Sequence, residues 1–338
     1  MKSQKKDKNA EKKKEYPIIS INETDNMFVK ARKWYQIRKI DAQKKRDEPK
    51  TFGESLWSWT KTIVGAIIVV MILNGLLIAS FVVPTGSMEN TVMTGDFLFV
   101  NKFLYGPSTP QVVPFINLPL PFYKFPGFKD PKQGDVIVFI FPGNRDEIAA
   151  KEFQYYLKRC VATAGDSLQV INKRVFVNGK EFALPEHGKF EPYTHDSQFE
   201  KVRTFPTGAG FTPDNYGPIR IPKKGDVVNI TPQNWRQWEI FIKREGHEIT
   251  YDGTTLKIDG KPGSNYTVQR NYCFGMGDNR DNSLDCRFFG FVPWDNVVGT
   301  PMVVYMSLPD KDEDSQQPYS LLDRILHMRI SRIAKIIH

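Results

Sequence analysis

The chain has 338 residues, 40% of them hydrophobic, and a formal net charge of +9. That apolar share is enough for a packed core, which excludes a chain disordered throughout. The positive excess lies mostly before Thr51, in runs such as Lys12-Lys13-Lys14 and Lys44-Lys45-Arg46, and later segments mix both signs. With no nucleic-acid motif beside it, this charge reads as a topological tail over residues 1–60, and no nucleic-acid partner is expected. The cysteines Cys160, Cys273 and Cys286 are odd in number and lack CxxC spacing, so neither a disulfide framework nor a zinc site is indicated. No metal and no cofactor is expected.

From Thr62 to Val83 the run TIVGAIIVVMILNGLLIASFVV is apolar apart from Asn74 and small hydroxyl residues. Its length of roughly 20 residues matches the hydrocarbon thickness of a bilayer, and a transmembrane helix is expected over residues 61–83. Lys and Arg crowd the side before it, so the positive-inside bias keeps the N-terminus in the cytoplasm and sends the chain after Pro84 outside. A cleaved signal peptide would need a shorter leader and a shorter apolar run. A buried core helix is the other alternative, since only Lys61 and Pro84 bound the charge-free span.

After this anchor, β-branched and aromatic runs recur between turn signals: Phe97 to Val100, Asp135 to Phe141, Tyr155 to Ala162, Ser167 to Val177, Glu239 to Ile242 and Val297 to Met306. The pairs Asn178-Gly179, Asp252-Gly253 and Asp259-Gly260 sit beside such runs and favour antiparallel hairpins. The expected fold is therefore mostly β, with a large antiparallel β domain over residues 84–315. Between Tyr105 and Pro131 lies a Pro- and aromatic-rich segment that suits either a loop packed over the core or contact with a bilayer. The tail over residues 316–338 spaces Leu322, Ile325, Ile330, Ile333 and Ile336 among Arg and Lys, which predicts a basic amphipathic helix docked on lipid or on the protein.

Three segments carry candidate chemistry. Directly after the anchor, Pro84-Thr85-Gly86-Ser87-Met88 sets a serine in a tight turn context that holds its hydroxyl exposed. In Tyr156-Leu157-Lys158-Arg159-Cys160-Val161 a lysine sits inside an alternating strand. If it faces inward, burial lowers its pKa and makes it a base; at a sheet edge it would simply point into water. The third is the polar run Gly277-Asp278-Asn279-Arg280-Asp281-Asn282-Ser283-Leu284-Asp285-Cys286-Arg287. A loop tied by Asp–Arg pairs explains it, and a calcium loop is a rival, although Arg280 intrudes on the EF-hand pattern and no glutamate ends it.

In chain order these segments resemble the bacterial type I signal peptidases. The serine box corresponds to Pro84 through Met88 and on to Gly95-Asp96, a following strand to Lys132 through Phe139, and a lysine box to Lys158 through Val161 with Gly165-Asp166. The run from Gly277 to Arg287 is the most specific match. Departures are Thr85 where many members have serine, Asn90 and Ala164 in place of prolines, and Cys286 in place of serine; none removes a catalytic group. Residues 170–269 align with no motif and fit the family's variable outer subdomain.

The resemblance implies a membrane-anchored serine endopeptidase that removes signal peptides from exported preproteins. Ser87 is then the nucleophile and Lys158 the general base, with an oxyanion hole from the Ser87 N–H and the Thr85 hydroxyl. Ser283 would orient the lysine amine, and Asp285, paired with Arg159 and Arg287, would brace the strand that bears it. Val83 and Leu157 are candidate walls of the pockets for small substrate residues. The implied partners are signal peptides and the lipid bilayer. The implied location is the bacterial inner membrane, crossed once. A penicillin-binding hydrolase would need Ser-x-x-Lys, whereas Ser87 is followed by Met88-Glu89-Asn90. A self-cleaving repressor would need neither the anchor nor the polar loop. A catalytically silent membrane-anchored binding protein on the same scaffold is the alternative from another class.

Overall fold

The computed structural model describes residues 16–47, 51–109, 112–113, 118–119, 123–190, 204–311 and 317–338. The Lys12 run and parts of the proline-rich and outer segments lie outside them. The chain divides into two compact units, Met1–Ile68 and Val69–His338.

In the first unit, helix α1 (Met27–Asp47) starts where Asn26 Oδ1 accepts the Val29 N–H at 2.9 Å. Helix α2 (Phe52–Leu76), which begins in this unit and ends in the second, starts at a capping box: Thr51 Oγ1 accepts from Glu54 N at 3.3 Å, and Glu54 Oε2 accepts from Thr51 N at 3.0 Å. At 1.5 Å per residue α2 spans about 37 Å, long and apolar enough to cross a membrane. Its bounds correct the expected span of 61–83. The helix begins earlier, and the last apolar residues leave it for strand β1 (Ile78–Val82). The change is possible because, within the second unit, which holds the end of α2, later N–H groups meet the closing carbonyls: Lys102 N donates to Leu77 O at 2.9 Å and Ser108 N to Gly75 O at 3.4 Å.

The second unit is built on a seven-stranded antiparallel sheet. Its members are β1, β2 (Asp96–Asn101), β3 (Val136–Ile140), β4 (Tyr155–Thr163), β9 (Tyr272–Met276), β10 (Val292–Pro293) and β11 (Val297–Ser307). They are ordered β1-β2-β11-β3-β4-β9-β10. Between the neighbouring strands β4 and β9 the chain leaves to make an outer subdomain. It holds a four-stranded sheet of β5 (Ser167–Ile171), β6 (Arg174–Val177), β7 (Lys180–Phe182) and β8 (Tyr216–Arg220), shorter ladders, and helix α3 (Trp235–Arg244). The mostly β reading holds.

The continuous apolar run of β3 follows from burial on both faces. Ile137 and Phe139 enter a large core shared with the outer subdomain, while Val136 and Val138 enter a smaller one with Val83, Met88, Leu98 and Val304. The run Ser167 to Val177 is two strands joined at Asn172 and Lys173, both at positive φ. Asn178-Gly179 and Asp259-Gly260 take positive φ at both residues, as two-residue hairpins require. Glu239 to Ile242 is helical rather than a strand; Trp235, Trp238, Phe241 and Ile242 fall on one helical face against the core.

The Tyr105 to Pro131 segment is tied to the domain where described. Lys124 Nζ donates to the carbonyls of Trp294, Asp295 and Val297 at 3.3, 2.8 and 2.6 Å, and Phe103 stacks on Phe128. The tail is not one amphipathic helix. Helix α4 covers only Leu321–Leu326, a short 3-10 turn covers Ile330–Arg332, and the last residues run along β11. Backbone pairing with Val304 and burial of Ile337 outweigh the helical spacing.

Gly299 on β11 stands hard against β2, since a Cβ there would lie 2.4 Å from the Asn101 carbonyl oxygen and 2.7 Å from Val100 Cγ1. Gly299→Ala is therefore expected to cost about 1–3 kcal/mol through overpacking, read as a lowered urea midpoint of the full chain in detergent micelles.

Candidate active site

The 3-10 turn Gly86–Met88 carries Ser87 just beyond β1, and its orientation is set from beneath. Met88 is buried in the smaller core, and the Ser87 carbonyl accepts the Asn279 N–H at 3.1 Å. Gly277 must be glycine for this contact: a Cβ there would stand 2.5 Å from the Ser87 carbonyl oxygen and 2.2 Å from Ser283 Oγ. Asn90 has φ +72, a left-handed conformation that asparagine tolerates and proline, fixed near −65°, does not.

Lys158 lies on β4, inside the sheet and only 4% exposed. Its Nζ stands 2.8 Å from Ser87 Oγ and donates to the Leu157 carbonyl at 3.0 Å. Gly275 on β9 makes room for the side chain, as a Cβ there would sit 3.0 Å from Lys158 Cβ. Burial pushes the amine down to about 8, and this outweighs the upward pull of Asp285 and Cys286. An amine neutral in a useful fraction of molecules thus touches a serine hydroxyl, the geometry in which one takes the proton of the other.

The polar loop wraps this pair. Asp285 accepts from Arg287 Nε and Nη2, both at 2.9 Å, and from Gly277 N at 3.2 Å. Arg159 does not pair with Asp285 as expected. Its Nε and Nη2 reach Asp278 at 2.9 and 2.8 Å, and Thr91 Oγ1 donates to the same carboxylate at 2.6 Å. Asp281 pairs with Lys173 of the outer subdomain at 3.1 Å. The loop's carboxylates therefore meet protein cations, which accounts for its composition without calcium. Among the described residues no cluster of three or more His, Cys, Asp or Glu could hold a metal. Asp278 is not among the expected site residues; its only signal in the sequence is its place beside Gly277 in the polar run.

Ser283 is 1% exposed and its Oγ has no hydrogen-bond partner among the described residues, so the expected bond to Lys158 is not made in this structure. The amine is already directed at Ser87 and Leu157. Thr85 is extended and exposed, and its hydroxyl caps no backbone group of the turn.

A groove of about 820 Å³ runs past Ser87 and Lys158, bounded by Ser80–Thr85 on one side and Gln154–Leu157 on the other. Val83 and Leu157 both line it, as do Leu98 and Val138, and Phe81 meets Tyr155 across it at 4.8 Å between ring centroids. β1 is the edge of the sheet and pairs on one side with β2. The three cysteines are buried and free, away from this groove's lining.

Comparison with known proteins agrees with the geometry. The family model for signal peptidase, peptidase S26, matches residues 56–306. A signal peptidase I of Helicobacter pylori is 28% identical over 77% of this chain and 86% of its own length. That of Buchnera aphidicola subsp. Schizaphis graminum is 30% identical over 79% of each chain, and that of Aquifex aeolicus 26% identical over 80% of this chain and 94% of its own. With the family match covering most of its length, the chain belongs to the signal peptidase family, peptidase S26, and is a serine endopeptidase.

Proposed function

We propose that the chain is a membrane-anchored signal peptidase that cleaves preproteins with Ser87 as nucleophile and Lys158 as general base. The observation that carries this reading is the 2.8 Å contact between Ser87 Oγ and a buried Lys158 Nζ. Neutral Lys158 takes the serine proton as Oγ attacks the scissile carbonyl, and the ammonium then protonates the leaving amine. The resulting ester is cut by water with the same amine as base. Thr85 Oγ1 and the Ser87 N–H face the developing oxyanion. Once Ser87 is acylated its hydroxyl is no longer there for the amine, and Ser283 Oγ, buried with no hydrogen-bond partner among the described residues, becomes a further acceptor for a lysine N–H beside the Leu157 carbonyl. Asp285 and Arg287 brace the loop behind the dyad, and Arg159 with Asp278 fixes the strand next to Lys158.

The substrate in this reading is an extended segment added alongside edge strand β1, with small residues directed at Val83 and Leu157. α2 anchors the enzyme with its basic N-terminal side in the cytoplasm, so Ser87, eleven residues past Leu76, works close to the outer membrane surface. A tethered leader peptide then meets the dyad at high effective concentration. The silent-binder alternative is disfavoured by the intact contact between the two catalytic groups.

Ser87→Ala is expected to abolish preprotein cleavage in lipid, and retained cleavage would remove the serine from the mechanism. Lys158→Arg should also be nearly inactive despite its retained charge, because guanidinium does not deprotonate near neutral pH; activity within severalfold of wild type would dismiss the lysine as base. Because the active form is the deprotonated amine, kcat/KM should climb about tenfold per pH unit below the lysine pKa and level off above about 8. A profile flat from pH 6 to 10 would count against the dyad. Protease added outside intact spheroplasts should digest the domain after Pro84 and spare the N-terminal tail, and the reverse pattern would invert the topology.

A further inference from the structure

The family match ends at residue 306, yet the residues after it reach back to the segment that carries the nucleophile. The last ten residues run along β11. Arg329 N donates to Ser307 O at 3.0 Å, Ala334 N to Val304 O at 2.8 Å, Val304 N to Lys335 O at 3.0 Å and Ile337 N to Met302 O at 3.0 Å. Ile337 is buried in the same small core as Met88, the residue next to Ser87.

From this backbone, basic side chains take the main-chain carbonyls of the stretch after Ser87. Lys335 Nζ donates to Asn90 O at 2.9 Å, Arg332 Nη2 to Thr91 O at 3.5 Å, and Arg329 Nη2 to Thr94 O. The strongest attachment is to Asp96, a fully buried carboxylate. Arg332 grips it with Nε at 3.0 Å and Nη2 at 2.6 Å, Ser307 Oγ donates at 2.7 Å, and Met93 N closes the turn onto it at 2.8 Å. A buried carboxylate without a cation is strongly unfavourable, so Arg332 decides whether the turn from Met93 to Asp96 keeps its shape. The same terminus also meets the lysine strand, the His338 carbonyl accepting from Arg159 Nη2 at 3.1 Å.

We infer that residues 329–338 form a strap that holds the Ser87-bearing segment in its attacking position, with Arg332 as the positioning residue. The inference rests on Ser87 being the nucleophile. The strap meets the backbone from Asn90 to Asp96 and not the groove, so its loss displaces Oγ relative to the scissile carbonyl while leaving substrate contacts in place. A displacement of about 1 Å at a reacting atom is enough to cost on the order of 100-fold in rate.

The test uses the full chain in lipid with a preprotein substrate, comparing wild type with Arg332→Ala, Arg332→Lys, Lys335→Ala and Ser87→Ala. Arg332→Ala should lower kcat by about 10- to 100-fold, with KM within about twofold and the acid limb of the pH profile unmoved, since burial of Lys158 is untouched. Arg332→Lys, which keeps a cation on Asp96, should recover part of the loss. Lys335→Ala removes one contact at the surface and should lower kcat severalfold; it decides the matter if Arg332→Ala fails to fold. Wild-type kcat in Lys335→Ala and a folded Arg332→Ala, with Ser87→Ala dead, would overturn the strap and leave the dyad standing. A loss expressed in KM, or a shifted acid limb, would equally overturn it. Cleavage by Ser87→Ala would remove the reading on which the strap depends.

Discussion

The site depends on an amine taken out of water without a carboxylate of its own. Lys158 forms no salt bridge among the described residues, although two buried aspartates lie nearby. Asp278 is held by Arg159 and Asp285 by Arg287, so each carboxylate is neutralised by a guanidinium that cannot give up its proton. Burial then outweighs the remaining attraction and pushes the amine down to about 8, so that a useful fraction is neutral near physiological pH. Were either arginine missing, a bare aspartate would draw the lysine toward its charged form. Buried ion pairs add little to stability on their own account; here their consequence is the protonation state of a neighbour.

Burial of Lys158 in turn demands strands on both of its sides, which the curled sheet supplies. β3 and β9 flank β4, Gly275 gives the lysine stem its space, and the loop after β9 returns beneath the turn that carries Ser87. β1 lies at the other end of the sheet order yet faces β4 across the groove, joined by the Phe81–Tyr155 contact. The opening between them carries both an unpaired strand edge and the dyad. In the proposed function, an extended peptide that fills it buries apolar side chains and presents a carbonyl to Ser87 in one step. The outer subdomain shares the large core behind β4 and sends Lys173 to Asp281, so it supports the polar loop as well as covering the sheet.

The chain's own sequence determined the apolar helix, the antiparallel β character, and the serine, the lysine and the polar loop, because each rests on local signals. These are an uncharged run of membrane length, period-two alternation, paired turn residues, and short motifs whose spacing the fold requires. It left undecided whether Lys158 faces inward, since a strand's two faces are distinguished only by what packs on them. Tertiary structure settled that point. It also moved the end of α2 to Leu76, where a pairing partner for the following residues draws them into β1, and turned Glu239 to Ile242 helical against a waiting core. The partners of Arg159, Asp96 and Arg332 were illegible for the same reason: they join residues far apart in the chain, and ion pairing of this kind leaves no periodicity to read. Local chemistry named the reacting groups, and long-range packing decided which of them carry charge.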